Sequence, residues 1–135
     1  PYIWAVNWED KTQLINESKA ENNFEWLYFW WVAFKGQRPV DDLGYACIES
    51  KKHMDVVTTS WPWTWIAADV DKVKDIKKYI WDFPLALASW VSPENIHTFS
   101  WVSSFIVSTS ISKDFYNLDP ERVKELMKEL ELMNW

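Results

Sequence analysis

Five short apolar segments, β-branched or aromatic for the most part, alternate with five helix-compatible segments along the 135-residue chain, and no other feature restricts its fold as strongly. The apolar segments are residues 2–6, 27–34, 55–59, 84–89 and 104–109. Their near-continuous apolar character suits strands covered on both faces, as in a parallel sheet. Between and after them lie segments of helical spacing or helix-start chemistry, at about 10–22, 41–52, 70–80, 93–99 and 120–133. Parallel neighbours must be joined by right-handed crossovers, so strict alternation predicts an α/β chain of five βα units. A complete (β/α)8 barrel needs about 250 residues, which makes a partial TIM barrel the expectation, with parallel strands and residues 1–135 as one domain. Pro1 runs straight into the apolar residues 2–6, and this predicts a truncated N-terminus.

The helical segments carry their own punctuation. In the last one Val123, Leu126, Met127, Leu130 and Met133 recur at the spacing of one helix face, with Asp119 placed to cap it and Pro120 at its first position. Ser92 and Pro93 repeat that grammar before a short segment. Asp69 is the expected cap of a helix whose core face is Val70, Val73, Ile76 and Ile80.

The composition is abnormal in one respect: 12 tryptophans stand beside 2 glycines, where roughly nine glycines are usual at this length. Several tryptophans occupy places where backbone geometry calls for glycine. Trp81 follows the helix that ends at Ile80, at the position that commonly turns left-handed. Trp61, Trp63 and Trp65 alternate through a strand-to-helix loop, and Trp90 sits between Ser89 and the capping Ser92. The pattern implies a gene in which UGA encodes glycine, translated with a code that reads UGA as tryptophan. Ordinary UGG codons at these positions would overturn that reading. The alternative takes the tryptophans as real, either packed in the core or forming an aromatic platform for carbohydrate.

A formal net charge of −6 and the lack of a Lys/Arg cluster argue against nucleic acid and anionic membranes as partners. Cys47 is the only cysteine, so no disulfide framework exists, and a reducing cytoplasm is the expected location. The longest apolar run, residues 26–34, is too short to span a bilayer. Neither histidine is placed for catalysis: His53 follows a helix on the side away from the strand C-termini, and His97 falls inside the short fourth helix. No spacing suggests a metal site, and no cofactor is expected.

With glycine read for tryptophan, the chain from Asp55 to Leu132 resembles the BtpA/SgcQ family of barrel proteins. The residues carrying the likeness are 56–65 (VVTTSWPWTW), 84–95 (PLALASWVSPEN), 105–110 (FIVSTS) and 119–123 (DPERV). Ser108 departs from the pattern, since glycine is usual there, and the lysines often found after that loop are reduced to Lys113. The resemblance implies that 84–89 and 104–109 are strands seven and eight, so that the chain is the C-terminal part of a barrel.

In phosphate-binding barrels the loops after those two strands hold the anion through backbone N–H groups. The implied phosphate-binding residues are Ser89, Trp90 and Val91 after the seventh strand, and Ser108, Thr109 and Ser110 after the eighth. Ordinary turn and capping chemistry is the other role open to these serines and threonines. Ser60 and Thr64, after the sixth strand, offer hydroxyls to a substrate or hydrogen bonds to their own loop. Lys35 and Gln37 follow the fifth strand, with Lys35 a candidate catalytic electrophile or base or a solvated loop lysine, and Gln37 a substrate contact. Asn7, with Glu9 beside it, occupies the corresponding place in the first unit and is the second catalytic candidate.

The leading expectation is a cytosolic barrel enzyme binding a small phosphorylated metabolite of phosphosugar or phosphoribosyl type, with its reaction class and self-association left open. The alternatives are a non-catalytic assembly factor, the role the resemblance attaches to the BtpA namesake, and an aromatic-rich carbohydrate-binding module.

Overall fold

The computed structural model of the chain describes residues 12–23, 25, 27–36, 40–60 and 70–133. The first expected strand, residues 2–6, lies outside them. Four strands follow in sequence: β1 (Phe29–Trp31), β2 (Val56–Ser60), β3 (Leu85–Ala88) and β4 (Ser104–Ile106). They form one sheet in the order β1-β2-β3-β4, every neighbouring pair parallel. Helix α1 (Thr12–Glu21) precedes β1, α2 (Leu43–Ser50) joins β1 to β2, α3 (Val70–Ile80) joins β2 to β3, and α4 (Pro120–Leu132) closes the chain. The chain is thus α/β, with the sequential parallel order of a partial barrel.

Three elements are shorter than their sequence patterns suggest, each for a local reason. β1 stops at Trp31 because Ala33 and Gly36 turn left-handed, with φ of 49° and 80°, although Val32 still donates to Thr58 O at 2.8 Å. After β4 the chain winds into a 3-10 turn at Thr109–Ile111 instead of continuing as strand to residue 109. The segment 93–99 is helical only at Ile96–Phe99. Before it, Asn95 rather than Ser92 organises the turn: its Oδ1 accepts from Ser92 N–H at 2.8 Å and its Nδ2 donates to Trp90 O at 2.7 Å. Short amide side chains compete with helix formation by offering the backbone such bonds.

In a parallel sheet, residues in register point to the same face. Val57, in register with Leu85, and Leu87 therefore share a face, and they are buried with Val73, Ile76 and Ile80 of α3 and with Phe99. Each such aliphatic burial contributes about 1.5–3 kcal/mol. On α4, Leu126 is buried, and Val123, Leu130 and Met133 pack against the core, but Met127 is 51% exposed, so the apolar stripe is narrower than its spacing suggests. Asp119 caps this helix as expected, its carboxylate accepting from Glu121 N–H at 3.0 Å.

Among the described residues the tryptophans separate into two kinds. Trp81 and Trp90 have φ of 56° and 61°, in the left-handed region that glycine enters without penalty. Trp81 ends α3, donating from its N–H to Lys77 O at 2.9 Å, and its side chain is 75% exposed. Trp30 and Trp31 instead lie in β1, where extended backbone suits any side chain, and Trp101 packs edge-on to Phe99 with ring centroids 6.4 Å apart.

Candidate anion site at the strand C-termini

Because all four strands run the same way, the loops leaving them gather at one edge of the sheet. Ser60, Ala88 and Ile106 stand level in the register, so the residues that follow them share a rim. There a cavity of about 500 Å³ opens. Phe34 and Lys35, after β1, form one wall. Ser89, Trp90 and Val91, after β3, form the second, and Ser108, Thr109 and Ser110, after β4, form the third. Seven residues singled out from the sequence are therefore brought to a single cavity.

The loop after β3 reaches its shape through two consecutive left-handed residues, Ser89 at φ 71° and Trp90 at φ 61°. That conformation folds the chain back over the end of the sheet and sets Val91, which is buried, against the rim. Trp90 is 40% exposed, so its indole stands at the cavity instead of in the core. On the opposite wall, Thr109 and Ser110 open the 3-10 turn, whose first internal bond runs from Ile111 N–H to Ser108 O at 3.0 Å. Groups at the start of such a turn precede its hydrogen-bonded ladder and point outward. Ser108 has φ −141°, outside the left-handed region, so its backbone does not call for glycine.

Ser60 is hydrogen-bonded to the loop that follows β1. It is buried and does not line the cavity, and its Oγ accepts from Lys35 N–H at 2.7 Å. Lys72 supports the same corner, its ammonium donating to Ala33 O at 2.5 Å and to Ser60 O at 2.7 Å. Asn7, Gln37 and Thr64 lie outside the described residues, as do Glu9, Asp69 and the tryptophans at 61, 63 and 65.

What ties the two loops together is not among the motifs of the sequence. Ser110 Oγ donates to Val91 O at 2.5 Å, directly across the rim. Arg122, in the first turn of α4, donates from Nε to Ser110 O at 3.2 Å, and its Nη1 and Nη2 grip the two carboxylate oxygens of Glu94 at 2.5 and 3.0 Å. The Arg122 bond, helped by Ser92, holds the Glu94 carboxyl down at about 2, while Glu94 and Glu125 raise the guanidinium above its ordinary value. One signal for this lay in the sequence: the positive end of the helix dipole disfavours a cation in the first turn, so an arginine three residues after Asp119 invites a search for its partners.

Other chemistry-bearing residues stand apart from the cavity. His53 follows α2 at the opposite edge of the sheet, and His97 pairs with Glu129 of α4. Cys47 is buried, and burial pushes its thiol up to about 12. Among the described residues no three His, Cys, Asp or Glu side chains cluster as a metal site, and no helix is long and apolar enough to cross a membrane.

A sequential parallel sheet with its loops converging beyond the strand C-termini decides the architecture. The fold is that of part of a (β/α)8 barrel. The chain is similar to N-(5'-phosphoribosyl)anthranilate isomerase from Pyrococcus furiosus, with a TM-score of 0.64 at 15% identity over 90% of this chain. It spans 57% of the length of that isomerase. No protein-family model and no curated protein matches the chain. The structural likeness carries the barrel fold, and the BtpA/SgcQ resemblance rests on the sequence motifs alone.

Proposed function

We propose that the chain is the C-terminal part of a TIM-barrel enzyme whose mouth holds the phosphate group of a small metabolite, of phosphosugar or phosphoribosyl type. The observation that carries this reading is the convergence of Lys35, the 89–91 loop and the 108–110 turn on one cavity of about 500 Å³. Backbone N–H groups of the two loops would take the anion, which suits an acidic chain because such a site needs little formal charge. Lys35, on the facing wall, supplies the cation and stands where a reacting group beyond the phosphate would lie. An isomerase of a phosphoribosyl compound shares the architecture, and this supports a phosphorylated ligand without naming the reaction. A cationic side chain at the cavity also favours ligand binding over a purely structural assembly role of the BtpA kind.

The test is a titration with inorganic phosphate and with ribose 5-phosphate, followed through the amide resonances of residues 89–91 and 108–110. Saturable shifts in both loops, weakened in K35M, are the expected result. Shifts spread over surface lysines elsewhere, with both loops silent, would overturn the proposal.

A further inference from the structure

We propose that Arg122 is the positioning residue of the cavity, a clasp that holds the loop after β3 and the loop after β4 in register so that their N–H groups point at one anion. The inference rests on the anion-site reading of that cavity but concerns a residue that does not line it. One guanidinium reaches both loops: Nε donates to Ser110 O at 3.2 Å, and the fork takes both oxygens of Glu94, at 2.5 and 3.0 Å. Ser110 Oγ adds the direct link to Val91 O at 2.5 Å. The Arg122 contacts thus fall on both sides of the gap the anion would bridge.

The choice of side chain matters. Guanidinium presents five donors in a fixed plane and can serve a carboxylate fork and a carbonyl at once, whereas an ammonium is a compact point charge. Site and helix also pull in opposite directions. Arg122 stands three residues after the cap Asp119, next to the positive end of the α4 dipole, where a cation costs helix stability. Its partners Glu94 and Glu125 offset that cost, and the bond to Ser110 O gains α4 nothing. The arrangement serves the loops. Backbone donors bind an anion well only when they are held convergent beforehand, because ordering them at the moment of binding subtracts from affinity.

The experiment compares the wild-type chain with R122K and R122Q. Inorganic phosphate is titrated while amide hydrogen exchange at residues 89–91 and 108–110 and the melting temperature are measured. The clasp predicts about ten-fold weaker phosphate binding in R122Q, faster exchange in both loops, and a melting temperature near that of the wild type. R122K is likewise expected to keep the melting temperature without the affinity, which a merely structural charge would not produce. Unchanged affinity and exchange in R122Q would overturn the proposal. Should the wild type bind no phosphate, the anion-site reading fails by itself, and loop exchange then decides alone: acceleration on both sides of the cavity keeps the clasp, and acceleration confined to α4 refutes it.

Discussion

Arg122 and Glu94 meet as a fork on a fork, Nη1 to Oε1 at 2.5 Å and Nη2 to Oε2 at 3.0 Å, although 28 residues separate them in sequence. The pair joins the helix that follows β4 to the loop that follows β3, and it is the longest-range ion pair at the rim of the cavity among the described residues.

Its acid dependence follows from the direction of the Glu94 shift. The Arg122 bond lowers the folded carboxyl from 4.5 to about 2, so the unfolded chain binds that proton more readily than the folded one. The contribution is fully present above about pH 4.5 and is lost as pH falls through about 2. The difference in melting temperature between the wild type and E94Q is expected to shrink steadily as pH drops across that window. Because the Glu94 side chain is 63% exposed, solvent screens the pair and the difference is small even at neutral pH. A constant difference from pH 6 down to pH 2 would mean that the pair contributes nothing through its charge.

Trp81 tests whether the backbone at the end of α3 calls for glycine. Its φ of 56° costs a non-glycine residue about 1–2 kcal/mol, and a side chain that is 75% exposed returns little burial. W81G is expected to be more stable by about 1 kcal/mol, raising the melting temperature by roughly 3–5 °C for a chain of this size. A lower melting temperature would show that the indole contributes more than the strain removes.

Thr59 is fully buried in β2, and its Oγ1 has no hydrogen-bond partner among the described residues. Replacing an unsatisfied buried hydroxyl by a methyl of the same shape removes a desolvation penalty. T59V is expected to gain about 1 kcal/mol in chemical denaturation. A loss of that size would reveal a bond made by the hydroxyl in solution.

The Cys47 thiol, buried and pushed up to about 12, is expected to resist thiol reagents at neutral pH until the chain is unfolded, since only the thiolate reacts. Mass spectrometry after brief labelling, with and without denaturant, reads this directly. Rapid labelling of the native chain would place Cys47 in a segment that opens easily.

Much of the architecture was legible in local pattern. Residues 70–80 were bounded correctly because Val73, Ile76 and Ile80 repeat at helical spacing against charged neighbours, and all three are buried. The left-handed turn at Trp81 was legible as well, because where α3 must stop is fixed by its own stripe. Met127 shows the limit. It has the spacing of a core residue but falls outside the strip that the sheet covers, and how wide that strip is depends on packing, not on spacing. The site divides in the same way. Lys35, the 89–91 loop and the 108–110 turn line one cavity because parallel topology sends every place after a strand to one edge. The partner of Ser60 was not legible: its hydroxyl accepts from Lys35 N–H because β1 and β2 are neighbours.

Element types, their parallel order and the end of the sheet where the loops gather follow from local signals in the chain. These depend on hydrophobic period, cap chemistry and chirality, all of which act over a few residues. Which loops face one another, and what holds them, depends on packing across the whole sheet. The Arg122–Glu94 clasp and the Ser110–Val91 bond join positions whose distance is set by how the strands and helices pack, and no local pattern encodes that distance.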